Sequence, residues 1–174
     1  ALSEAKGMTK MMKKRWISLF VENDIGVLTR ISGLFSGKSY NLDSLTVGRT
    51  EDRTVSRMTI SLTGDDMTFE QVKKQLARCV EVIKVVDFTD AAIHRKEIMF
   101  IKIQNCTEAD MTELFRIAGV YQVKIAGYSP SSVLLESVRT EEENNELAHL
   151  LEHRFTNRME IVRGGSVAVE SVRT

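Results

Sequence analysis

Two short stretches carry residue types that can bind or react. The first is Asn23-Asp-Ile-Gly26, between an apolar run that ends at Glu22 and an amphipathic run that ends at Phe35. A strand–turn–helix junction there would leave the helix's first N–H groups unpaired, and the helix dipole favours negative charge at that end. Gly26 has no side chain to keep a ligand off the backbone, so the junction can hold a small carboxylate. Asn-Asp-x-Gly is equally an ordinary turn sequence, and the residues alone leave both readings open. The second stretch is His149-Leu-Leu-Glu-His153, which has the H-x-x-E-H spacing of some zinc peptidases. On a helix with Leu147, Leu150 and Leu151 inward, both histidines would face solvent, and no third ligand stands out.

Other chemistry has less support. Cys106 follows a strand and precedes a helix, a place that can lower a thiol pKa, although a small core residue fits the position as well. Gly26 and Gly33 are too far apart for a phosphate-binding glycine loop. No pair of carboxylates is isolated in an apolar setting, so general acid–base catalysis is not indicated. We therefore expect no catalytic residues, no metal ligands and no cofactor in this chain.

The elements that must position these residues follow from hydrophobic period. Trp16–Glu22 alternates as a strand, and Val27, Leu28, Ile31, Leu34 and Phe35 share a helix face. Its other face, Thr29, Ser32, Gly33 and Ser36, is small enough for a second helix or subunit to approach, or it is a plain solvent face. Gly37 suits a C-cap. Strands over 42–47 and 55–62 follow, the second with Met58, Ile60 and Leu62 on one side. Next come a helix carrying Phe69, Val72, Leu76, Cys79 and Val80, and a strand from Val82 to Phe88.

After a connector over 90–96 the same order starts again. Glu97–Gln104 reads as a strand. Thr107-Glu-Ala-Asp110 is a capping box, opening a helix with Met111, Leu114, Phe115 and Ala118 inward and Gly119 at its end. Strands over 120–126 and 132–138 surround Pro130. Thr140-Glu-Glu-Glu143 opens a further helix, and 159–170 is a strand or a hairpin turning at Gly164-Gly165. The expected fold is α+β, two tandem ferredoxin-like βαββαβ domains, at 15–89 and 97–174, with residues 1–14 a tail or tag remnant. Each half has helices for one sheet face only, so the other face or an edge needs a partner.

Composition narrows the function. Lys+Arg and Asp+Glu are both 24 in 174 residues, which argues against a dedicated nucleic-acid binder and removes a barrier to self-association. Hydrophobic residues at 43% and charged residues at 28% fit a soluble globular protein, and no apolar run is long enough to span a bilayer. Cys79 and Cys106 are too few for a disulfide framework and suit a reducing compartment.

Three strings together resemble a known family. They are Val21-Glu-Asn-Asp-Ile-Gly-Val-Leu-Thr-Arg-Ile-Ser-Gly-Leu-Phe35, Tyr40-Asn-Leu-Asp-Ser-Leu-Thr-Val47 and Ser56-Arg-Met-Thr-Ile60. In order and in spacing they are similar to the small regulatory subunits of acetolactate synthase (acetohydroxyacid synthase), as is Arg95-Lys-Glu97 before an apolar strand. Ser39 stands at a usual glycine of that family, and Ile25 at a small residue or proline.

The resemblance implies an ACT domain, an amino-acid-binding module, over 15–89. Two such domains would pair side by side into a homodimer with the effector between them. Asn23, Asp24, Ile25, Gly26, Val27 and Leu28 would line the pocket from one chain, with Asn41 and Leu42 closing it from the other. The effector would be valine or another branched-chain amino acid, acting as a feedback inhibitor in branched-chain amino-acid biosynthesis. The chain would be non-catalytic and would activate a large subunit that carries thiamine diphosphate, magnesium and FAD. No nucleic acid or membrane is implied, and the compartment would be the bacterial cytoplasm. An ACT-type sensor regulating a different enzyme is the alternative.

Overall fold

The computed structural model describes residues 11–36 and 40–172. The expectations for Gly37, for Ser39 and for residues 1–10 lie outside them. The chain divides into two compact units between Ala92 and Ile93.

The first unit runs β1 (Lys13–Glu22), α1 (Val27–Ser36), β2 (Leu42–Arg49), β3 (Val55–Gly64), α2 (Asp66–Ala77), β4 (Val82–Asp87). Its sheet is antiparallel in the order β2-β3-β1-β4. Ile17 faces Ile60 and Leu19 faces Met58 across β1 and β3. Their side chains pack under Val27, Ile31 and Phe35 of α1 and Phe69, Val72 and Leu76 of α2. Each such burial contributes about 1.5–3 kcal/mol before entropy is counted. The stripe on α1 is narrower than its sequence suggests. Val27, Ile31 and Phe35 are buried, whereas Leu28, a hundred degrees around the helix from Val27, is exposed. Helix α2 stops at Ala77, so Cys79 and Val80 lie in the turn after it rather than on its buried face. Strand β1 starts at Lys13, which pairs with Gly64, so the expected tail over 1–14 gives its last two residues to the sheet.

The second unit runs β5 (Ile93–Ile103), α3 (Glu108–Tyr121), β6 (Lys124–Ser129), β7 (Ser132–Arg139), α4 (Glu141–Arg154), β8 (Met159–Glu170). Its order, β6-β7-β5-β8, repeats the first, so the fold is two tandem ferredoxin-like units. His94, Arg95 and Lys96, expected in the connector over 90–96, are strand residues paired to Val169, Ala168 and Val167.

Both capping boxes form, at Thr107–Asp110 and Thr140–Glu143. Three details differ from expectation. Gly119 does not end α3: the helix continues to Tyr121 and stops where Gln122 adopts φ 55 and donates its N–H to the carbonyl of Ala118. A lone helical glycine costs about 1 kcal/mol and is outweighed by the packing of Leu114, Ile117 and Ala118. That continuation also delays β6 to Lys124. Phe115 and Leu150 point outward, because Ile117 and Ala148 take the inward positions.

Of the two readings of 159–170, strand or hairpin, the strand is the one that forms. Strand β8 passes through Gly164-Gly165 against β5, with Glu97 opposite Ser166 and Met99 opposite Arg163, so two residues face Ile98 in a bulge. Gly165 has φ 79, a left-handed conformation that glycine adopts at no steric cost. A Cβ on Gly164 would come within 2.9 Å of Ile98 Cγ2, an atom fixed by the branched side chain. Gly164→Ala is therefore expected to cost about 1–3 kcal/mol, read as a lower urea midpoint for the second unit.

The start of α3 is also tied by charge. Asp110 Oδ2 accepts from the Thr107 backbone N–H at 3.0 Å and from Arg158 Nη1 at 2.9 Å. These bonds hold its carboxyl down from the ordinary 3.8 to about 2. A depressed folded pKa stabilises above the unfolded value, and that stability disappears as pH falls through the folded one. Asp110→Asn should thus be less stable than the parent at pH 7. The gap should close between pH ~4 and ~2, which urea titrations across that range would show.

Candidate effector-binding turn

Three helices have side-chain caps: Asp65 on α2, Thr107 on α3 and Thr140 on α4. Helix α1 follows Gly26, whose carbonyl accepts the first helical bond from Arg30 N–H at 3.0 Å and which has no side chain to cap anything. Gly26 has φ +88, and nothing lies within 4 Å of where its Cβ would be. The turn is therefore left-handed at Gly26, with open space where a side chain would stand.

Asn23 anchors this turn to the sheet. Its backbone N–H donates to the Thr54 carbonyl at 2.9 Å and its Nδ2 to the Arg53 carbonyl at 3.3 Å. Its Oδ1 accepts from Ser56 Oγ at 3.1 Å. Asn23 thus shapes the turn, with one acceptor site already used.

A cleft of about 420 Å³ opens beside the turn, lined by Glu22, Asp24, Ile25, Val27, Arg30, Val80 and Glu81. Of the residues expected at the site, Asp24, Ile25 and Val27 line it, and Gly26 lies in the turn between them. Leu28 is 45% exposed on the outer side of α1. Asn41 and Leu42 stand elsewhere in the same chain: Asn41 is exposed just before β2, and Leu42 pairs with Leu62 and packs on the core.

Glu22, Arg30, Val80 and Glu81 were not foreseen at the site. Glu81 sits between α2 and β4, and its carbonyl accepts from Glu22 N–H at 2.9 Å, which brings that corner beside the turn. Its carboxylate pairs with Arg30. No local pattern marks these residues, because the pairing of β4 with β1 assembles the corner. Ile25 is 101% exposed and Val80 90%, so two apolar side chains flank the cleft with no cover from their own chain.

The other reactive candidates are ordinary surface or packing residues. His149 and His153 are both exposed, with Nε2 atoms 3.2 Å apart. Among the described residues no group of three His, Cys, Asp or Glu side chains is placed to hold a metal ion. Burial pushes the Cys106 thiol up, Asp110 adds to the effect and Arg158 opposes it, so the helix start does not activate it. Burial likewise raises Cys79. Among the described residues no helix is long and apolar enough to cross a membrane.

Comparison with known proteins agrees along nearly the whole chain. Residues 17–84 match the family described as AHAS small subunit-like ACT domain. Residues 96–172 match the family described as small subunit of acetolactate synthase. The acetolactate synthase small subunit of Aquifex aeolicus is 36% identical over 91% of this chain and 81% of its own length. That of Haemophilus influenzae is 35% identical over 90% and 94%. The crystal structure of the small subunit from Thermotoga maritima superposes with a TM-score of 0.81 at 28% identity, covering 93% of this chain and 99% of that one. With two such units in tandem, each matched by its own profile, the chain belongs to the acetolactate synthase small-subunit family.

Proposed function

We propose that this chain is a non-catalytic regulatory subunit that docks on an acetolactate synthase large subunit, raises its activity and makes it sensitive to valine. The observation that carries the effector reading is the half-built cleft at Gly26. It offers an uncapped helix start for a carboxylate, the carboxylates of Glu22, Asp24 and Glu81 for an ammonium, and Ile25 and Val27 for an aliphatic side chain. Arg30 balances part of that negative charge through Glu81.

The missing wall comes from a second copy. Strand β2 pairs only with β3 among the described residues, so its outer edge is free to extend the sheet. In this reading a homodimer joined there brings the partner's Asn41 and Leu42 towards the turn at Gly26. Hydrophobic pockets separate homologues by only ~1–3 kcal/mol per methylene, so leucine and isoleucine are expected to bind here too. Thiamine diphosphate, magnesium and FAD belong to the large subunit. The compartment is a reducing cytoplasm, in keeping with two free thiols.

Calorimetric titration of the purified chain with each branched-chain amino acid tests the site. Saturable binding is expected at one or two valines per dimer. Copurification with the large subunit tests the partner. Alone, with pyruvate, thiamine diphosphate and magnesium, the chain is expected to form no acetolactate; turnover by a preparation free of large subunit would refute the reading.

A further inference from the structure

The H-x-x-E-H spacing at His149–His153 has no part in the effector reading, yet the fold brings its two histidines together. They stand one turn apart near the end of α4, where residues four apart share a face. Their Nε2 atoms are 3.2 Å apart, and the rings cross at 74° with centroids 4.6 Å apart. The Nε2 corners thus lie closer together than the ring centres and lean towards a common point.

That separation suits a metal ion. Zinc–imidazole bonds are ~2.0–2.1 Å long, and at that length two nitrogens 3.2 Å apart subtend about 100–105° at the metal. The angle lies between octahedral and tetrahedral values, so neither ring has to leave its place. Two histidines at i and i+4 on one helix face are a general chelating arrangement. Without a metal the same approach is a hydrogen bond, with one Nε2 donating to the other. A metal takes both Nε2 lone pairs when each ring carries its proton on Nδ1.

We propose that His149 and His153 form an open two-histidine chelate for a divalent ion that prefers imidazole (zinc, nickel or copper), with water completing its coordination. Imidazole selects these ions over magnesium and calcium, which take oxygen ligands. The charge around the pair admits a dication. His153 lies in the last turn of α4, where the helix dipole favours cations. Glu146, one turn before His149, and Glu152 are exposed on the same helix and offset Arg154 beside His153. Arg154 and Arg158 also reach Asp110 at the start of α3, at 3.8 and 2.9 Å. The site is not hydrolytic: no third His, Cys, Asp or Glu joins the pair among the described residues, and a catalytic zinc centre keeps three protein ligands. A bound ion instead ties the last two turns of α4 together and stabilises the folded chain by mass action. The site stands whether or not the turn at Gly26 binds an amino acid.

Calorimetric titration of the full chain with zinc and with nickel is the test. One ion per chain should bind at micromolar concentration, and zinc should raise the thermal midpoint. His149→Ala and His153→Ala should each weaken binding about tenfold or more, because the second ligand no longer binds intramolecularly, and should abolish the thermal shift. Both positions are exposed, and circular dichroism checks the fold of each variant. His94→Ala removes the only other histidine and should bind like the parent. Magnesium should give no saturable heat. Parent-like binding by either folded variant of the pair overturns the proposal. So does saturation only at millimolar ion, which would mark an adventitious surface contact, and so does equal affinity for magnesium.

Discussion

A Gly26→Asp chain, assembled with its large subunit, is expected to lose feedback inhibition by valine while still activating the enzyme. The added carboxylate would stand at the start of α1, where the effector's own carboxylate is proposed to bind, and would repel it. Losing a charge-assisted hydrogen bond there removes about 1.5–3 kcal/mol. The valine concentration for half inhibition should therefore rise by tenfold or more. The fold should survive. No atom lies within 4 Å of the new Cβ, and the helix dipole favours an acidic residue in this position. Stability should nevertheless drop by ~1–2 kcal/mol, because φ +88 is strained for any residue with a Cβ.

Asn41→Ala approaches the same pocket from the second copy and adds neither charge nor strain. It removes a hydrogen bond of roughly 0.5–1.5 kcal/mol, for a several-fold rise in the same concentration. Inhibition curves of the reconstituted enzyme across a valine series decide the matter. If both variants are inhibited like the parent, valine binds elsewhere and the turn is only a connection between β1 and α1.

The largest stability effect is expected at Glu97, which is 4% exposed. Its Oε1 accepts from Asn144 Nδ2 at 3.0 Å, from Arg163 Nε at 3.0 Å and from Arg163 Nη2. Asn144, fully buried, in turn accepts from Ser137 Oγ at 2.6 Å. One carboxylate thus joins β5, β7, α4 and β8 beside the bulge. Glu97→Ala takes the acceptor from the buried Asn144 amide and the charged acceptor from the Arg163 guanidinium, which keeps only Asn145 Oδ1 at 2.6 Å and the Glu141 carbonyl at 3.3 Å; breaking a buried pair costs about 3–5 kcal/mol. Arg163 keeps some access to water, with a side chain 32% exposed, so the lower end is expected. Glu97→Gln retains an acceptor and should lose about half as much. Urea unfolding at neutral pH reads both, and a loss below about 1 kcal/mol for the alanine variant would mean the network is not what holds these strands.

The order of elements was legible in the residues, because period-two and period-3.6 patterns are local. Ile17, Leu19 and Val21 alternate, Val27, Ile31 and Phe35 recur every fourth residue, and two capping boxes mark helix starts whatever lies around them. The turn Asn23-Asp-Ile-Gly26 was legible for the same reason, since strand, turn and helix are contiguous. Element ends were less legible. Gly119 is a weak stop against the burial of Ile117 and Ala118, and Gly164-Gly165 leaves strand and hairpin both open until β5 is seen to hold both sides of it.

What stands around the turn depends on long-range pairing. Arg30 and the adjacent Val80 and Glu81 come from two places in the chain, about fifty residues apart, and meet because β4 pairs with β1. The role of Asn23 as an anchor to β3 depends on Arg53, Thr54 and Ser56, thirty or more residues away. The acceptor role of Glu97 depends on Arg163, sixty-six residues on. Residues distant in sequence leave no periodic signal when they meet. The chain's local patterns specify which elements form, and sheet register, a non-local quantity, specifies which side chains share a site.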